Sequence, residues 1–150
     1  MTMFQLNISH GACLLWLRLA SLATITTGII ASLASHPNGD LIWRVLFDLL
    51  KGFDLQRATS FTPDNYATNA VLGGVMIGWG VMMFHLSSVG VFNERLRGIF
   101  IKSLMAWFIS DSAGSFAAGL PGNILLNVVF ILMFLPPLRA LKKFTTSAGL

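Results

Sequence analysis

The chain has 150 residues, of which 55% are hydrophobic and only 11% are charged. Soluble domains carry about 25% charged residues, so this composition excludes an ordinary soluble protein and indicates a single integral membrane domain over residues 1–150. The single cysteine, Cys13, excludes an internal disulfide, a CxxC redox motif and a cysteine metal cage. The net charge of +4 does not indicate nucleic-acid binding, because the basic residues stand at the ends of apolar runs.

A helix needs roughly 20 mostly apolar residues to cross the hydrocarbon core of a membrane. The first such run covers residues 11–33 and contains Arg18. An alternative is the apolar core of a signal peptide at 19–33, with Ser32 and Ala34 as the small residues before a cleavage site. The long region before the run, with Arg18 as its only basic side chain, argues against cleavage. We therefore predict a first transmembrane span.

A short amphipathic pattern follows at residues 41–51, after the turn residues at 36–40. Its apolar residues recur at helical spacing, whereas Arg44, Asp48 and Lys51 share the opposite face. The run is too short and too charged to span a membrane, so we predict an interfacial helix with Trp43 as its anchor. The alternative is a lid that packs on the helix bundle instead of on lipid.

Three further apolar runs, at 68–92, 99–120 and 122–138, complete a predicted all-α, polytopic bundle of four transmembrane helices. The last run is short and ends in Pro136-Pro137, after which the backbone could continue as a kinked or interfacial helix.

The distribution of lysine and arginine predicts the orientation of these spans. One side combines both termini with the 93–98 loop and carries the basic residues Arg95, Arg97, Arg139, Lys142 and Lys143. The other side carries Arg44, Lys51 and Arg57 together with the acidic residues Asp40, Asp48, Asp54 and Asp64. This bias places both termini of a multi-pass protein in the cytoplasm.

Polar side chains within the predicted spans are the candidate functional residues, because an ionisable group in the middle of a span normally faces protein or a water-filled cavity. The outer half of the predicted bundle contains a polar cluster of Asp111, Ser115, Asn123, Asn127 and Asn69. One hypothesis is that Asp111 handles protons or ions in a pocket open to the outside. The other is that Asp111 is a structural packing contact, hydrogen-bonded to Asn127 or Asn69.

Small residues at helical spacing predict the faces on which these helices pack. The predicted packing residues are Gly74, Gly78, Ser110, Gly114 and Ala118. In the cytoplasmic half, the polar residues within the spans are Arg18, His85 and Lys102. His85 is expected to be a buried hydrogen-bonding residue, although it could also be an axial ligand of haem, with His10 as the second.

The stretches GGVMIGWGVMMFHL at 73–86 and FISDSAGSFAAGLPGNILLN at 108–127 carry a family resemblance. The chain resembles small, uncharacterised four-helix membrane proteins of bacteria. The matching residues are Gly78, Trp79, Gly80, Asp111, Ser112, Ala113, Gly114, Ser115, Asn123 and Asn127. The resemblance implies a bacterial inner (plasma) membrane and carries no activity with it.

The sequence contains no P-loop, HExxH or nucleophile motif. We therefore predict a non-enzymatic protein with no catalytic residues, metal or cofactor. It is expected to be an accessory subunit of a membrane assembly or a self-associating bundle, with the lipid bilayer and other membrane subunits or itself as partners, and no nucleic acid. The alternative is a small transporter or channel for protons, ions or a solute that uses Asp111. A more distant alternative is a haem-binding membrane anchor that uses His85.

Overall fold

The structure, a computed structural model, describes residues 9–51 and 59–147, with side chains up to residue 142. Within these ranges the chain is all-α, as predicted, with five helices and no strand. The helices are α1 His10–Leu33, α2 Leu41–Leu50, α3 Pro63–Leu86, α4 Glu94–Ala117 and α5 Pro121–Ser147. Asp54 and Arg57, which entered the predicted charge bias, lie outside the described residues, as does the side chain of Lys143.

The first two helices agree with their predicted bounds to within one residue, whereas α3 and α4 begin and end earlier than the apolar runs at 68–92 and 99–120. The reason is local capping. At α3, Thr62 and Asn65 form a capping box and Pro63 takes the first helical position. At α4, the side chain of Asn93 accepts a hydrogen bond of 3.0 Å from the Leu96 amide.

The downstream bounds of α4 and α5 also have local causes. After α4, Gly119 has a φ of +70°, and the Leu120 amide donates to the Ser115 carbonyl at 2.9 Å, which is the left-handed helix end that glycine favours. The predicted 122–138 run is the first part of α5. This helix continues through Pro136 and Pro137 to residue 147, as one of the two sequence alternatives allowed.

Three of the five helices, α1, α3 and α5, are long and apolar enough to cross a membrane. These helices support the prediction of a membrane helical bundle. Helix α4 has the same length as α1 and α3, 24 residues, but it is not among these three. Its polar content, which includes Lys102 and Asp111, sets it apart.

Helices α1 and α3 pack antiparallel through glycines that bring the two backbones together. A Cβ placed on Gly28 would lie 2.9 Å from the Gly73 carbonyl oxygen and the Ile77 nitrogen. At the next crossing, a Cβ on Gly80 would lie 3.0 Å from the Ser21 carbonyl oxygen. Real Cβ atoms essentially never approach other atoms closer than 3.0 Å, so this contact depends on small residues on both helices.

The predicted packing residues on α3 and α4 face away from the other helices. No atom lies within 4 Å of a Cβ placed on Gly74, Gly78 or Gly114, and Ser110 and Ala118 are exposed. Within the chain, the prediction that these residues pack helices is therefore wrong. Helix α3 has glycines on two faces, and the spacing of 74 and 78 does not distinguish the face that meets α1 from the face that does not.

Helices α4 and α5 form a second antiparallel pair, and α5 also contacts α1. The rings of Trp107 and Phe130 lie 5.7 Å apart across the α4–α5 contact. The same Trp107 ring lies 6.0 Å from that of Trp79 and connects α4 to α3. Backbone contacts join the four long helices in the order α3, α1, α5, α4, and the Trp79–Trp107 contact brings the two ends of this row together.

The main core lies at the end of the bundle that holds the α3–α4 connection. It comprises the buried residues Cys13, Leu14, Leu17, Ala20, Met83, Phe92, Phe100, Leu104, Phe134, Leu138 and Leu141. A smaller core of Ala31, Ala34 and Trp43 lies at the opposite end, where α2 crosses the bundle.

Four of the five hydroxyl groups of α1 bond to the helix's own backbone. Ser21 Oγ donates to the Leu17 carbonyl at 2.7 Å and Thr24 Oγ1 to the Ala20 carbonyl at 3.1 Å. Thr26 and Thr27 likewise donate to the carbonyls of Leu22 and Ala23, one helical turn earlier. Although Ser21 and Thr24 are buried, neither depends on another helix for its hydrogen bond.

Candidate functional site

Asp111 is the centre of a hydrogen-bonded group between α4 and α5. Its Oδ1 accepts hydrogen bonds from Ser115 Oγ at 3.0 Å and from Asn123 Nδ2 at 2.9 Å. The same amide nitrogen lies 2.7 Å from Ser115 Oγ. Asn127 does not bond to Asp111 but donates to Ser112 Oγ at 3.2 Å. The structure thus brings three members of the predicted polar cluster into direct contact and places a fourth beside them.

The short connection between α4 and α5 produces this geometry. Because the chain reverses within 118–120, the last two turns of α4 lie opposite the first two turns of α5. Asp111 on α4 therefore meets Asn123 on α5. A carboxylate has two oxygens that can each accept hydrogen bonds, and Oδ2 of Asp111 accepts none from the described residues.

Asp111 also lies in the wall of a cavity of about 310 Å³ that all five helices border. The polar residues of its wall are Thr27, Asp111, Asn123 and Asn127, and the remainder are apolar or aromatic. Leu72 and Val75 belong to this wall and are 41% and 64% exposed.

Aromatic side chains make up much of the cavity wall. Trp43, Phe47, Trp79, Trp107 and Phe130 all line it. Trp43, which the sequence predicted as an anchor at the membrane interface, is buried against the bundle. Tryptophan occurs both at membrane interfaces and in packed interiors, and residue type alone does not separate the two.

Helix α2 forms the roof of the cavity, through Trp43, Leu46, Phe47 and Leu50. Trp43 is buried and its Nε1 donates to Asn69 Oδ1 on α3 at 3.1 Å.

Asn69 therefore has a different role from the one predicted. Besides accepting from Trp43, its Nδ2 donates to the Ala34 carbonyl at 3.0 Å. Asn69 joins α1, α2 and α3 and makes no bond to Asp111.

Further contacts fix α2 at both of its ends. At its start, the buried Asp40 pairs with Arg44 Nε at 2.8 Å and accepts a hydrogen bond of 3.0 Å from the Tyr66 hydroxyl. At its end, Leu50 lies directly against the backbone of α5, where a Cβ on Gly122 would lie 2.8 Å from Leu50 Cα. Nothing in the sequence pattern singled out Asp40 and Tyr66, which are 26 residues apart.

The segment before α3 is attached to α2 by Asp48. Its carboxylate accepts hydrogen bonds from both the hydroxyl and the amide of Thr59, the latter at 2.8 Å. Lys51 Nζ donates to the same hydroxyl at 3.0 Å. The bond from the Thr59 side chain, followed by the one from its backbone, lowers the pKa of Asp48 below its ordinary value.

The cationic residues of the spans lie away from Asp111. The guanidinium of Arg18 is 4.2 Å from the centre of the Phe84 ring, a cation–π contact. Arg18 and Lys102 are exposed. His85 is exposed as well, so the expectation of a buried hydrogen-bonding histidine is wrong. Within the described ranges, no side chain forms a salt bridge with Asp111.

No family model, no curated protein and no solved structure is significantly similar to the chain.

Proposed function

We propose that the chain is a non-enzymatic, four-span membrane protein that binds a small solute or ion at Asp111, as a small transporter or channel would. One observation carries the proposal. Asp111 borders a cavity of about 310 Å³ and uses only Oδ1 for hydrogen bonds within the described residues. A purely structural aspartate would be expected to fill its acceptor sites with neighbouring donors and to lie in close packing.

The four-span arrangement rests on α4 as the additional span. Twenty-four helical residues extend about 36 Å, enough to cross the hydrocarbon core. Lys102 stands near the start of α4 and is exposed, so its long side chain can reach the headgroups. Asp111 turns toward α5 and the cavity, which is where a charged residue within a span is tolerated.

Transport is tested by flux measurements with the purified protein in liposomes. We expect pH-dependent flux of protons or a small cation, and we expect Asp111→Asn to abolish it without unfolding the protein. Asp64→Asn is the matched control, because Asp64 is an exposed carboxylate in the first turn of α3. Equal flux through the wild type and Asp111→Asn would contradict the proposal.

A structural role for Asp111 makes a different prediction. Asp111→Leu removes the acceptor used by Ser115 and Asn123 and should destabilise the bundle by about 1–3 kcal/mol. If Asp111 only packs, Asp111→Asn should retain both stability and every measurable function.

The orientation with both termini in the cytoplasm is proposed on the charge bias described above. It is tested with single cysteines at Asn38 and Gly90 in a Cys13→Ser background. Both positions are exposed, and they lie at opposite ends of the bundle, whereas a cysteine at Gly39 would collide with the Leu33 backbone. A membrane-impermeant reagent added outside should label Asn38→Cys only. Labelling of Gly90→Cys alone would reverse the orientation.

Helix α2 is proposed to lie at the membrane interface as well as on the bundle. Its surface divides into three sectors. The sector on the bundle is Trp43, Leu46, Phe47 and Leu50, the polar sector is Arg44, Asp48 and Lys51, and the exposed apolar sector is Leu41, Ile42, Val45 and Leu49. An exposed apolar sector next to a polar one suits the boundary between acyl chains and water. A fluorophore on Val45→Cys should be quenched by brominated lipids more strongly than one on Arg44→Cys. Equal quenching would place α2 away from the interface.

The second candidate function is that of a subunit in a membrane assembly, and one surface favours it. The outer face of α4 carries small, exposed residues at alternating spacings of three and four: Ser103, Ala106, Ser110, Ala113 and Ala117. Such a face allows another helix to approach closely. Purification in mild detergent tests this candidate. Either a stoichiometric foreign partner or a homo-oligomer is expected, and Ala113→Leu should disrupt it whereas Met105→Leu, at an exposed larger residue of α4, should not. A monomer with neither partner would contradict it.

A further inference from the structure

We infer that the cavity beneath α2 binds a monovalent organic cation with an apolar body, such as an alkyl- or arylammonium ion. This inference rests on the proposed function, because it specifies the ligand of the same cavity. The charge of the cavity wall is the first observation that supports it. Among the described residues, 16 line the cavity, and Asp111 is the only one of these with a formal charge. A ligand with one positive charge would therefore leave the occupied cavity neutral.

The hydrogen bonds around Asp111 favour pairing with a ligand. Ser115 and Asn123 both donate to Oδ1 and so fix the orientation of the carboxylate. Oδ2 of Asp111 accepts no hydrogen bond from the described residues. The guanidinium of Arg18 lies over the ring of Phe84, 4.2 Å from its centre, and not beside Asp111. The positive charge that would complete the site is thus not provided by Arg18.

The aromatic residues of the wall favour an organic cation as the ligand. The faces of Trp and Phe rings attract cations, most strongly where water is excluded, and recognition of alkylammonium ions commonly uses several such rings. Here Trp79, Trp107 and Phe130 form a continuous group, with centroid separations of 6.0 Å and 5.7 Å. Trp43 and Phe47 add a second pair at 6.0 Å from the roof of the cavity.

The scarcity of oxygen ligands argues against an inorganic cation. Metal ions such as Ca²⁺ and Mg²⁺ take six or more oxygen ligands. The described side chains of the wall offer five oxygens, two from Asp111 and one each from Asn123, Asn127 and Thr27, which is fewer than six even if all of them met at one ion. An organic cation needs one carboxylate and apolar contact, and both are present.

The volume of the cavity limits the size of the ligand. A cavity of 310 Å³ corresponds to about ten water molecules at their share of liquid volume. This space suits a skeleton of about ten non-hydrogen atoms. Benzyltrimethylammonium has this size and carries one charge, and neopentylbenzene is its neutral counterpart, with carbon in place of nitrogen.

The experiment is a binding titration of the purified full-length chain in dodecyl maltoside, followed by tryptophan fluorescence. Three tryptophans line the cavity. We expect saturable binding of benzyltrimethylammonium and weaker binding of neopentylbenzene by at least about tenfold. Asp111→Asn should weaken binding of the cation by about ten- to a hundredfold, the range for a lost hydrogen-bonded charge contact. Asp64→Asn, which changes an exposed carboxylate, should bind as the wild type does.

A second variant separates the aromatic contribution from the charge. Trp107→Leu should weaken binding of the cation by about threefold or more, whereas Trp107→Phe, which retains a ring, should bind more tightly than Trp107→Leu. Near-ultraviolet circular dichroism verifies that each variant is folded. Equal affinity of Trp107→Leu and the wild type would overturn the aromatic part of the inference.

The outcomes distinguish this inference from the proposed function. If flux depends on Asp111 but benzyltrimethylammonium does not bind, the ligand class is wrong and the transport proposal stands. If sodium chloride displaces the organic cation but choline chloride at the same ionic strength does not, the site is inorganic and the inference fails. If neither flux nor binding depends on Asp111, both proposals fail.

Discussion

Replacing Gly73 by alanine should destabilise the α1–α3 contact, whereas the same change at the neighbouring Gly74 should not. A Cβ at Gly73 would lie 2.5 Å from the Ser32 nitrogen and 2.6 Å from the Gly28 carbonyl oxygen, against 3.4 Å or more in ordinary contact. These neighbours are backbone atoms, which cannot turn aside. The two helices must therefore separate by about 0.8–0.9 Å, a gap at which packed atoms lose a quarter to a half of their dispersion energy.

The difference between the two variants isolates this steric effect. Both replace a helical glycine by alanine, which by itself favours the helix by about 1 kcal/mol. At Gly74 nothing lies within 4 Å of the added atom, so only this favourable effect remains. At Gly73 overpacking adds an unfavourable 1–3 kcal/mol or so. We therefore expect Gly73→Ala to be less stable than Gly74→Ala by about 1–3 kcal/mol.

The assay is unfolding in mixed micelles of dodecyl maltoside and sodium dodecyl sulfate, followed by tryptophan fluorescence. The unfolding midpoint of Gly73→Ala should lie at a lower sodium dodecyl sulfate fraction than that of Gly74→Ala. Coincident midpoints would refute the reasoning, because they would mean that no close backbone contact exists at Gly73. A lower midpoint for Gly74→Ala would reverse the assignment of the two glycine faces.

Two further predictions concern the roof of the cavity. Trp43→Phe keeps an aromatic ring but leaves the buried Asn69 Oδ1 without its indole donor, so the free energy of unfolding should fall by about 1–3 kcal/mol; an unchanged midpoint in the same micelle assay would exclude this role. Because the pKa of Asp48 is lowered in the folded protein, its bonds to Thr59 are present above the ordinary aspartate value of 3.8 and are lost as the pH falls through the lower, folded-state pKa. The amide nuclear magnetic resonance signal of Thr59 should shift with a midpoint below 3.8, and Asp48→Asn should remove this transition; a midpoint at or above 3.8 would contradict it.

The order and type of the helices could be predicted from the sequence because they depend on local patterns. Long apolar runs predicted the positions of α1, α3 and α5, and the amphipathic period predicted α2. The upstream bounds of α3 and α4 could not be read from hydropathy, because polar capping residues such as Thr62 and Asn93 belong to neither apolar run. Capping patterns, applied before hydropathy, would have moved both starts toward their observed positions.

The candidate site was predictable where it depended on neighbours along the chain. Asp111 and Ser115 are one helical turn apart, and Asn123 follows a short turn, so their contact follows from the α4–α5 reversal alone. Asn69 and the three cavity tryptophans depend on how α2 and α3 are placed relative to the α4–α5 pair. That placement arises from backbone contacts at Gly28, Gly73 and Gly122. A sequence pattern does not show which element each of these glycines meets.

The hydrogen bonds within α1 have a consequence for the synthesis of this protein. Helix α1 leaves the ribosome before its main packing partner, α3, because about 30 residues separate the two. During that interval its serine and threonine side chains would face lipid, where an unsatisfied polar group is unfavourable. Ser21, Thr24, Thr26 and Thr27 all donate to carbonyls of their own helix. These hydroxyl groups are therefore satisfied while α1 is a single helix in the bilayer, before α3 is present. Pairing of α1 with α3 can then follow insertion as a separate step.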